Sequence, residues 1–320
     1  MKILKQGTPS DKVLSCAYFI MPSSAYKDTS KYIDGLDNII QQSRKLTGFE
    51  TRIYVDNTTS EQTLELVKDY KNVSVYHYDC ELFREGDGHV GTFGTLVRFL
   101  PMFEEGLKTV WVTDIDLARE TKSNDWFTNK FVKLVSNYDV FGENFTCYNR
   151  KPWTVGQKYT FVAFRMVFNV TFPRRILTHY INQLANGYYN DIIEIVNDYN
   201  VRKPRNERFP YGMDEFFVNG ILYKYIKQHD MTCLFRKTHD IGHYFIWDSS
   251  TTQKEKHVLM KYDKTPTKEL LQQVKPIYRK MIPIFIQKDQ KYACMKETLE
   301  SLDLFKDEMV DWIEVSGKDI

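Results

Sequence analysis

The sequence predicts an α/β protein, a mostly parallel sheet with helices on both faces. Two observations carry that prediction. Short runs of strand formers alternate with helical repeats from Val13 to Thr113, and that β-α-β order favours parallel pairing with crossover helices. At 320 residues, 42% hydrophobic and 27% charged, the chain suits one large α/β domain or two small ones.

The elements follow in order. Val13–Phe19 (VLSCAYF) is an apolar run rich in strand formers, closed by Met21-Pro22. Residues 30–46 set Ile33, Leu36, Ile39, Ile40 and Leu46 at helical spacing. Thr51–Asp56 reads as a second strand, and Thr59 and Ser60 offer caps for a helix carrying Leu64, Leu66, Val67 and Tyr70. Val73–Tyr78 alternates as a third strand. A stretch with Gly86, Gly88, Gly91 and Gly94 then leads into a helix over 95–103, and Thr109–Thr113 forms the fourth strand. Sheets of this kind bind ligands beyond the carboxyl ends of their strands. The informative positions are therefore 17–19, 56–57, 79–80 and 114–116.

The second half is less regular. Tyr159–Asn169 predicts a strand, and helices are expected over 174–185, 191–199 and 212–225. Arg202–Arg208 (RKPRNER) reads as a basic, proline-bearing loop. Beyond Pro266 the pattern is helical to the end. One stripe is Leu270, Leu271, Val274 and Ile277, and a second is Met295, Leu299, Leu302, Leu304 and Phe305. The expected organisation is one domain over 1–260 with a helical extension, 261–320, packed on it.

Composition narrows the function. Lys and Arg total 44 against 42 Asp and Glu, a formal charge of +2 with no strongly one-signed segment. A nucleic-acid partner needs a concentrated basic face and is not expected. The five cysteines, at 16, 80, 147, 233 and 294, form no CxxC pair. They argue against a disulfide framework or structural zinc and for a reducing, cytoplasmic setting. The segment MKILKQGTPSDK breaks into polar residues too early for a signal peptide. No apolar run approaches the roughly 18 residues of a transmembrane helix.

The sharpest chemical feature is Asp114-Ile115-Asp116, directly after the fourth strand. In extended backbone, residues i and i+2 point the same way. Two carboxylates thus leave the strand end together, where their oxygens suit a hard divalent cation. A metal there could bridge a diphosphate and neutralise its charge as it leaves. Arg98, on the preceding helix, is a planar five-donor cation suited either to diphosphate oxygens or to the aspartates themselves. Asp214 and Glu215 follow the turn Pro210-Tyr211-Gly212. They could work on an acceptor, and acidic residues also favour a helix's first turn. No G-x-S-x-G elbow, P-loop or G-x-G-x-x-G fingerprint is present. The run at 86–94 reads instead as a loop able to close over a ligand.

Arg98-Phe-Leu-Pro101 followed by Val110-Trp-Val-Thr-Asp-Ile-Asp116 resembles the core of GT-A glycosyltransferases, enzymes that use nucleotide-diphosphate sugars, and is closest to the glycogenin-like family eight arrangement. Further counterparts stand in family order. Phe161–Asn169 falls where the middle strand belongs, without the family's Asn-x-Gly. Asp214-Glu-Phe-Phe-Val-Asn219 resembles the family's D-Q-x-x-L-N, with Glu215 in place of Gln. His239-Asp-Ile-Gly242-His-Tyr-Phe-Ile-Trp247 keeps the His, Gly and Trp of its last motif, while Phe245 and Ile246 replace Lys and Pro.

The resemblance implies a GT-A fold and transfer of a sugar from a nucleotide-diphosphate sugar, a UDP-sugar first, to a hydroxyl on a glycan, protein or small molecule. It implies Asp114, Asp116 and His239 as ligands of Mn²⁺ or Mg²⁺. Two carboxylates and an imidazole suit Mn²⁺ better, and Asp240 and His243 stand near enough to exchange roles with His239. Arg98, Ile115 and Gly242 join the donor-binding set. Lys151 or Lys254 are alternatives for the lost diphosphate clamp. Tyr18, Phe19, Asp56 and Asn57 would begin the base and ribose pocket, and all four also have ordinary roles in sheet core or turn. Asp214 or Glu215 would act at the sugar or acceptor. Two rival readings are a nucleotidyltransferase that makes sugar nucleotides and a non-catalytic sugar-nucleotide- or glycan-binding module.

Overall fold

Strand-forming runs and helical repeats alternate in the computed structural model to build a nine-stranded sheet ordered β1-β4-β3-β2-β7-β9-β8-β10-β11. The structure describes residues 1–21, 30–115, 128–145, 152–154, 156–199, 208–238 and 310–320. The chain forms two units, the first of Met1–Gly142, Phe161–Leu234 and Glu314–Ile320, the second of Glu143–Thr160 and Phe235–Ile313.

The first unit opens with β1 (Lys2–Lys5), β2 (Lys12–Tyr18), α1 (Ser30–Ser43), β3 (Glu50–Val55), α2 (Ser60–Val67) and β4 (Val73–His77). A small hairpin of β5 (Arg84–Glu85) and β6 (Gly88–His89) follows, then α3 (Phe93–Val97), a 3-10 turn Leu100–Phe103, and β7 (Thr109–Thr113). After α4 (Asn129–Val135) and β8 (Val140–Phe145) come β9 (Val162–Phe168), α5 (Arg175–Ala185) and α6 (Asn190–Tyr199). Met213–Phe216 is α7, Phe217–Leu222 a π-helical segment and Tyr223–Gln228 α8. The described chain ends with β10 (Thr232–Thr238) and β11 (Val310–Ser316).

β2, β3, β4 and β7 pair in parallel, while β1 and β9 pair antiparallel to β4 and β7. Alternation divides the side chains between two faces. Leu14, Cys16, Tyr18, Ile53, Val55, Val73, Val75 and Trp111 pack with Leu36, Ile39 and Ile40 of α1 and Phe131 and Val135 of α4. The opposite face receives α3, tied down by the Ser15 hydroxyl, which donates to the Arg98 carbonyl at 2.6 Å.

Several expectations are revised. The helix expected over 95–103 stops at Val97, and its continuation is a 3-10 turn holding Pro101, a residue with no amide to donate to an α-helix. The glycine-rich stretch is a folded hairpin over 84–89. Residues 310–316, expected in a helix, form strand β11. The helical stripes over 270–305 lie outside the described residues.

Within the second unit, Asn144 Nδ2 donates to the Thr160 carbonyl at 2.9 Å and Arg236 pairs with buried Glu143 at 3.3 Å. Tyr159 stacks on Phe235 with centroids 5.3 Å apart. Among the described residues no helix is long and apolar enough to cross a membrane.

Candidate functional site

The strand order singles out one place in the sheet. From β2 the chain moves outward to β3 and β4, then returns to lay β7 on β2's other side. In sheets of this kind ligands bind beyond the carboxyl ends of the strands at such a reversal of order. Phe19 follows β2 there, and Asp114 follows β7.

Helix α3 roofs this position. Gly94 and Arg98 stand four residues apart, on one helical face. A Cβ at Gly94 would run into the Phe19 ring and come within 2.5 Å of the Tyr78 hydroxyl, so only glycine admits the approach. One turn on, Arg98 is 4% exposed. Its Nη1 donates to Asp114 Oδ1, and its Nη2 donates to Asp214 Oδ2 at 2.8 Å and to the Ala163 carbonyl at 2.9 Å. One guanidinium thus holds two carboxylates from distant parts of the chain. The Asp114 amide donates to the Phe164 carbonyl at 2.8 Å, which fixes the strand end. The Asp114 side chain keeps 30% exposure, so it is anchored and still reaches solvent.

Asp214 arrives on α7. Gly212 precedes that helix at φ 107°, a left-handed conformation that favours glycine. Asp214 Oδ1 accepts from the Glu215 amide at 2.9 Å. Tyr180 donates to the Met213 carbonyl at 3.0 Å. Burial, with the Asp214 charge adding to it, pushes the Tyr180 hydroxyl well above the usual phenol range. Glu215 is buried beside Asp214.

The first two strand ends are arranged differently. Tyr18 and Phe19 point to opposite faces. Tyr18 sits in the α1-side core with its hydroxyl on Gln62 at 2.9 Å, and only Phe19 lies beside α3. Asp56 is fully buried. Its Oδ1 accepts from the Thr58 amide at 3.0 Å in an Asx turn, and its Oδ2 faces His89 Nδ1 at 3.2 Å and the Tyr78 hydroxyl at 3.4 Å. The Cys80 amide donates to His89 Nε2 at 3.0 Å, which leaves the ring's proton on Nδ1, aimed at Asp56. Burial, reinforced by Asp56, drives the Tyr78 hydroxyl well up in pKa. Asn57 is exposed and meets His77 Nε2 at 2.8 Å. Ile115 turns into the α1-side core.

The structure therefore gathers Arg98, Asp114, Asp214 and Glu215, with Phe19 beside the same helix. Tyr18 and Ile115 lie in the opposite core, and Asp56 lies under the hairpin. Sequence reasoning missed His89, whose only signal was its place in the glycine-rich stretch, and the carbonyl of Ala163, which has none. Asp116, His239 and Gly242 lie outside the described residues, as do Lys151, Asp240, His243, Phe245 and Lys254. Among the described residues no three His, Cys, Asp or Glu side chains form a set able to hold a metal ion. Asp114 is a partly exposed oxygen donor at a strand end and fits a hard cation as one ligand.

No protein family and no curated protein sequence matches the chain. The structure is similar to that of the galactosyltransferase LgtC with donor and acceptor sugar analogues, at 12% identity and a TM-score of 0.40 over 65% of this chain and 69% of that one. It is similar to mouse xyloside xylosyltransferase 1 at 12% identity and a TM-score of 0.34, over 64% of this chain and 79% of the other. It is also similar to 4-diphosphocytidyl-2C-methyl-D-erythritol synthase from Anaerococcus prevotii, at 8% identity and a TM-score of 0.30, over 56% and 76%.

Proposed function

We propose that the protein is a metal-dependent glycosyltransferase that moves a sugar from a nucleotide-diphosphate sugar, a UDP-sugar first, to a hydroxyl acceptor. The observation that carries this reading is Arg98 joined to Asp114 and Asp214 at the carboxyl end of β7. Parallel sheets bind nucleotides at that kind of reversal point. In the reaction the bond from the anomeric carbon to the diphosphate oxygen breaks and a bond to the acceptor oxygen forms. The acceptor's proton passes to a protein base or to the departing diphosphate.

Each residue has a part. Both Nη atoms of Arg98 donate to protein acceptors, so Arg98 acts by holding Asp114 and Asp214 in place. Asp114, with Asp116 and His239, would hold Mn²⁺ or Mg²⁺, and such a cation, when bound, neutralises charge on the diphosphate. Asp214 or Glu215 would act at the sugar or the acceptor hydroxyl, and in an inverting reaction one of them would take the proton. Phe19, beside Gly94, supplies an apolar wall.

A thermal-shift panel of nucleotide sugars with and without Mn²⁺ tests this. The right donor at a hundredfold excess over its dissociation constant stabilises the fold by about 2.7 kcal/mol, and only with the metal. Flat melting curves for every donor would sink the proposal. Pyrophosphate release from a nucleoside triphosphate and a sugar phosphate would replace it with the nucleotidyltransferase reading.

A further inference from the structure

We propose that Asn219 is a positioning residue that sets the angle of Arg98, and through it of Asp114 and Asp214. This inference rests on the glycosyltransferase reading only for its consequence in turnover. The geometry stands without it.

Asn219 lies in the π-helical segment Phe217–Leu222 and is 1% exposed. Its Oδ1 accepts from the Phe161 amide at 2.8 Å, and its Nδ2 donates to the Phe161 carbonyl at 2.8 Å. The same Nδ2 donates to the Glu215 carbonyl, four residues back, at 3.0 Å. In a π turn the backbone bonds run five residues apart rather than four, and here the side chain adds a donor at the four-residue spacing. Asn219 is therefore bonded at once to the helix carrying Asp214 and to the residue that leads into β9.

The bonds close into a ring. Two residues after Phe161, the Ala163 carbonyl accepts from Arg98 Nη2 at 2.9 Å, and that same nitrogen donates to Asp214 at 2.8 Å. Asp214 precedes Glu215, whose carbonyl returns to Asn219. The next residue of β9, Phe164, holds the Asp114 amide at 2.8 Å. Every member of this circuit is buried: Phe161, Ala163, Arg98, Asp214, Glu215 and Asn219. A buried, fully connected polar network fixes one geometry, and loss of one donor is felt by its neighbours. The Asn219 amide thus bridges α7 and the start of β9, whose separation decides whether one guanidinium can reach both Ala163 and Asp214.

The test compares Asn219→Asp with Ile226→Ala. Asn219→Asp keeps the shape and the acceptor and removes both Nδ2 donations. Ile226 is fully buried on α8 and makes none of these bonds, so its truncation is a control for loss of stability alone. Two readouts are taken on the full chain: hydrogen exchange of the Arg98 guanidinium protons by NMR, assigned through Arg98→Lys, and kcat against KM for donor turnover. In Asn219→Asp, Arg98 exchange rises at least tenfold and kcat falls at least tenfold, whereas Ile226→Ala stays within twofold of the parent on both. Lowering the pH protonates the new carboxyl, restores a donor, and brings Asn219→Asp back toward the parent. Should Asn219→Asp not fold, Asn219→Ser, which keeps one hydroxyl donor, takes its place. Equal Arg98 exchange in parent and variant, or equal loosening in Ile226→Ala, overturns the proposal. A parent inactive with every donor defeats the glycosyltransferase reading instead, and the exchange comparison still decides the role of Asn219.

Discussion

Replacing Arg98 by Met keeps most of the side chain's length and removes its donors. Asp114, Asp214 and the Ala163 carbonyl each then lose a partner. Breaking a buried ion pair from one side costs about 3–5 kcal/mol. Asp114, with its side chain 30% exposed, recovers much of its share from water. The loss falls mainly on Asp214, whose side chain is 12% exposed, so the lower end, about 3 kcal/mol, is expected. Asp214→Asn keeps shape and an acceptor oxygen but turns one charge-assisted bond into a weaker one, a loss of at most about 1.5–3 kcal/mol. In the double variant the apolar Met no longer faces a bare carboxylate, so the two costs sum to less, with a coupling of about 0.5–3 kcal/mol. Urea unfolding with linear extrapolation measures all three variants, provided the slope stays constant across the set. An Arg98→Met chain within about 1 kcal/mol of the parent, or a double variant additive to about 0.3 kcal/mol, would refute this account of the cluster.

Three further outcomes are expected. Gly94→Ala forces the Phe19 ring and the Tyr78 hydroxyl aside and lowers unfolding stability by about 1–3 kcal/mol, the range for overpacked sites; an unchanged urea midpoint would contradict the close approach. Asp114→Asn abolishes the Mn²⁺-dependent part of any nucleotide-sugar thermal shift, and a shift that persists removes Asp114 from the metal site. Asp230 is held well down in pKa, to about 2, first by Lys318 and then by Ser316. Its folded value lies below the ordinary 3.8, so its contribution is present above about pH 4 and is lost as pH falls through about 2. Against Asp230→Asn, the parent's extra stability should shrink across that window, and a constant difference would exclude the tether.

The parallel half of the sheet was legible because β2 and β7 are written as largely apolar runs of strand formers and β4 alternates. Thr109–Thr113 falls where the sequence puts it. β8 was not legible, since Glu143 and Asn144 sit within it as buried polar residues satisfied by Arg236 and Thr160, far along the chain. β11 alternates in Val310–Ser316, yet its neighbour β10 lies over 70 residues earlier, so periodicity over a helical background misread it. At the site, Asp114 and Arg98 were visible as residue types at a strand end and on the helix before it. Among its suggested partners Arg98 meets an aspartate, Asp114, and the second carboxylate it holds, Asp214, is brought alongside only by the fold. The roles of Tyr18 and Phe19 follow from alternation, which sends neighbours to opposite faces. The burial of Asp56 depends on His89, a tertiary contact that no local pattern encodes.

Strand β1 has a consequence for how this sheet lives in solution. It runs against β4, and Lys5 reaches back to the carbonyls of Tyr70 and Val73 at 2.6 and 2.9 Å. Four residues, two of them lysines, thus occupy the hydrogen-bonding margin that β4 would otherwise offer to any extended peptide. Short, lysine-bearing borders are the means by which β proteins refuse further strands. The small segment protects the molecule from its own kind, a service out of proportion to the little core it contributes.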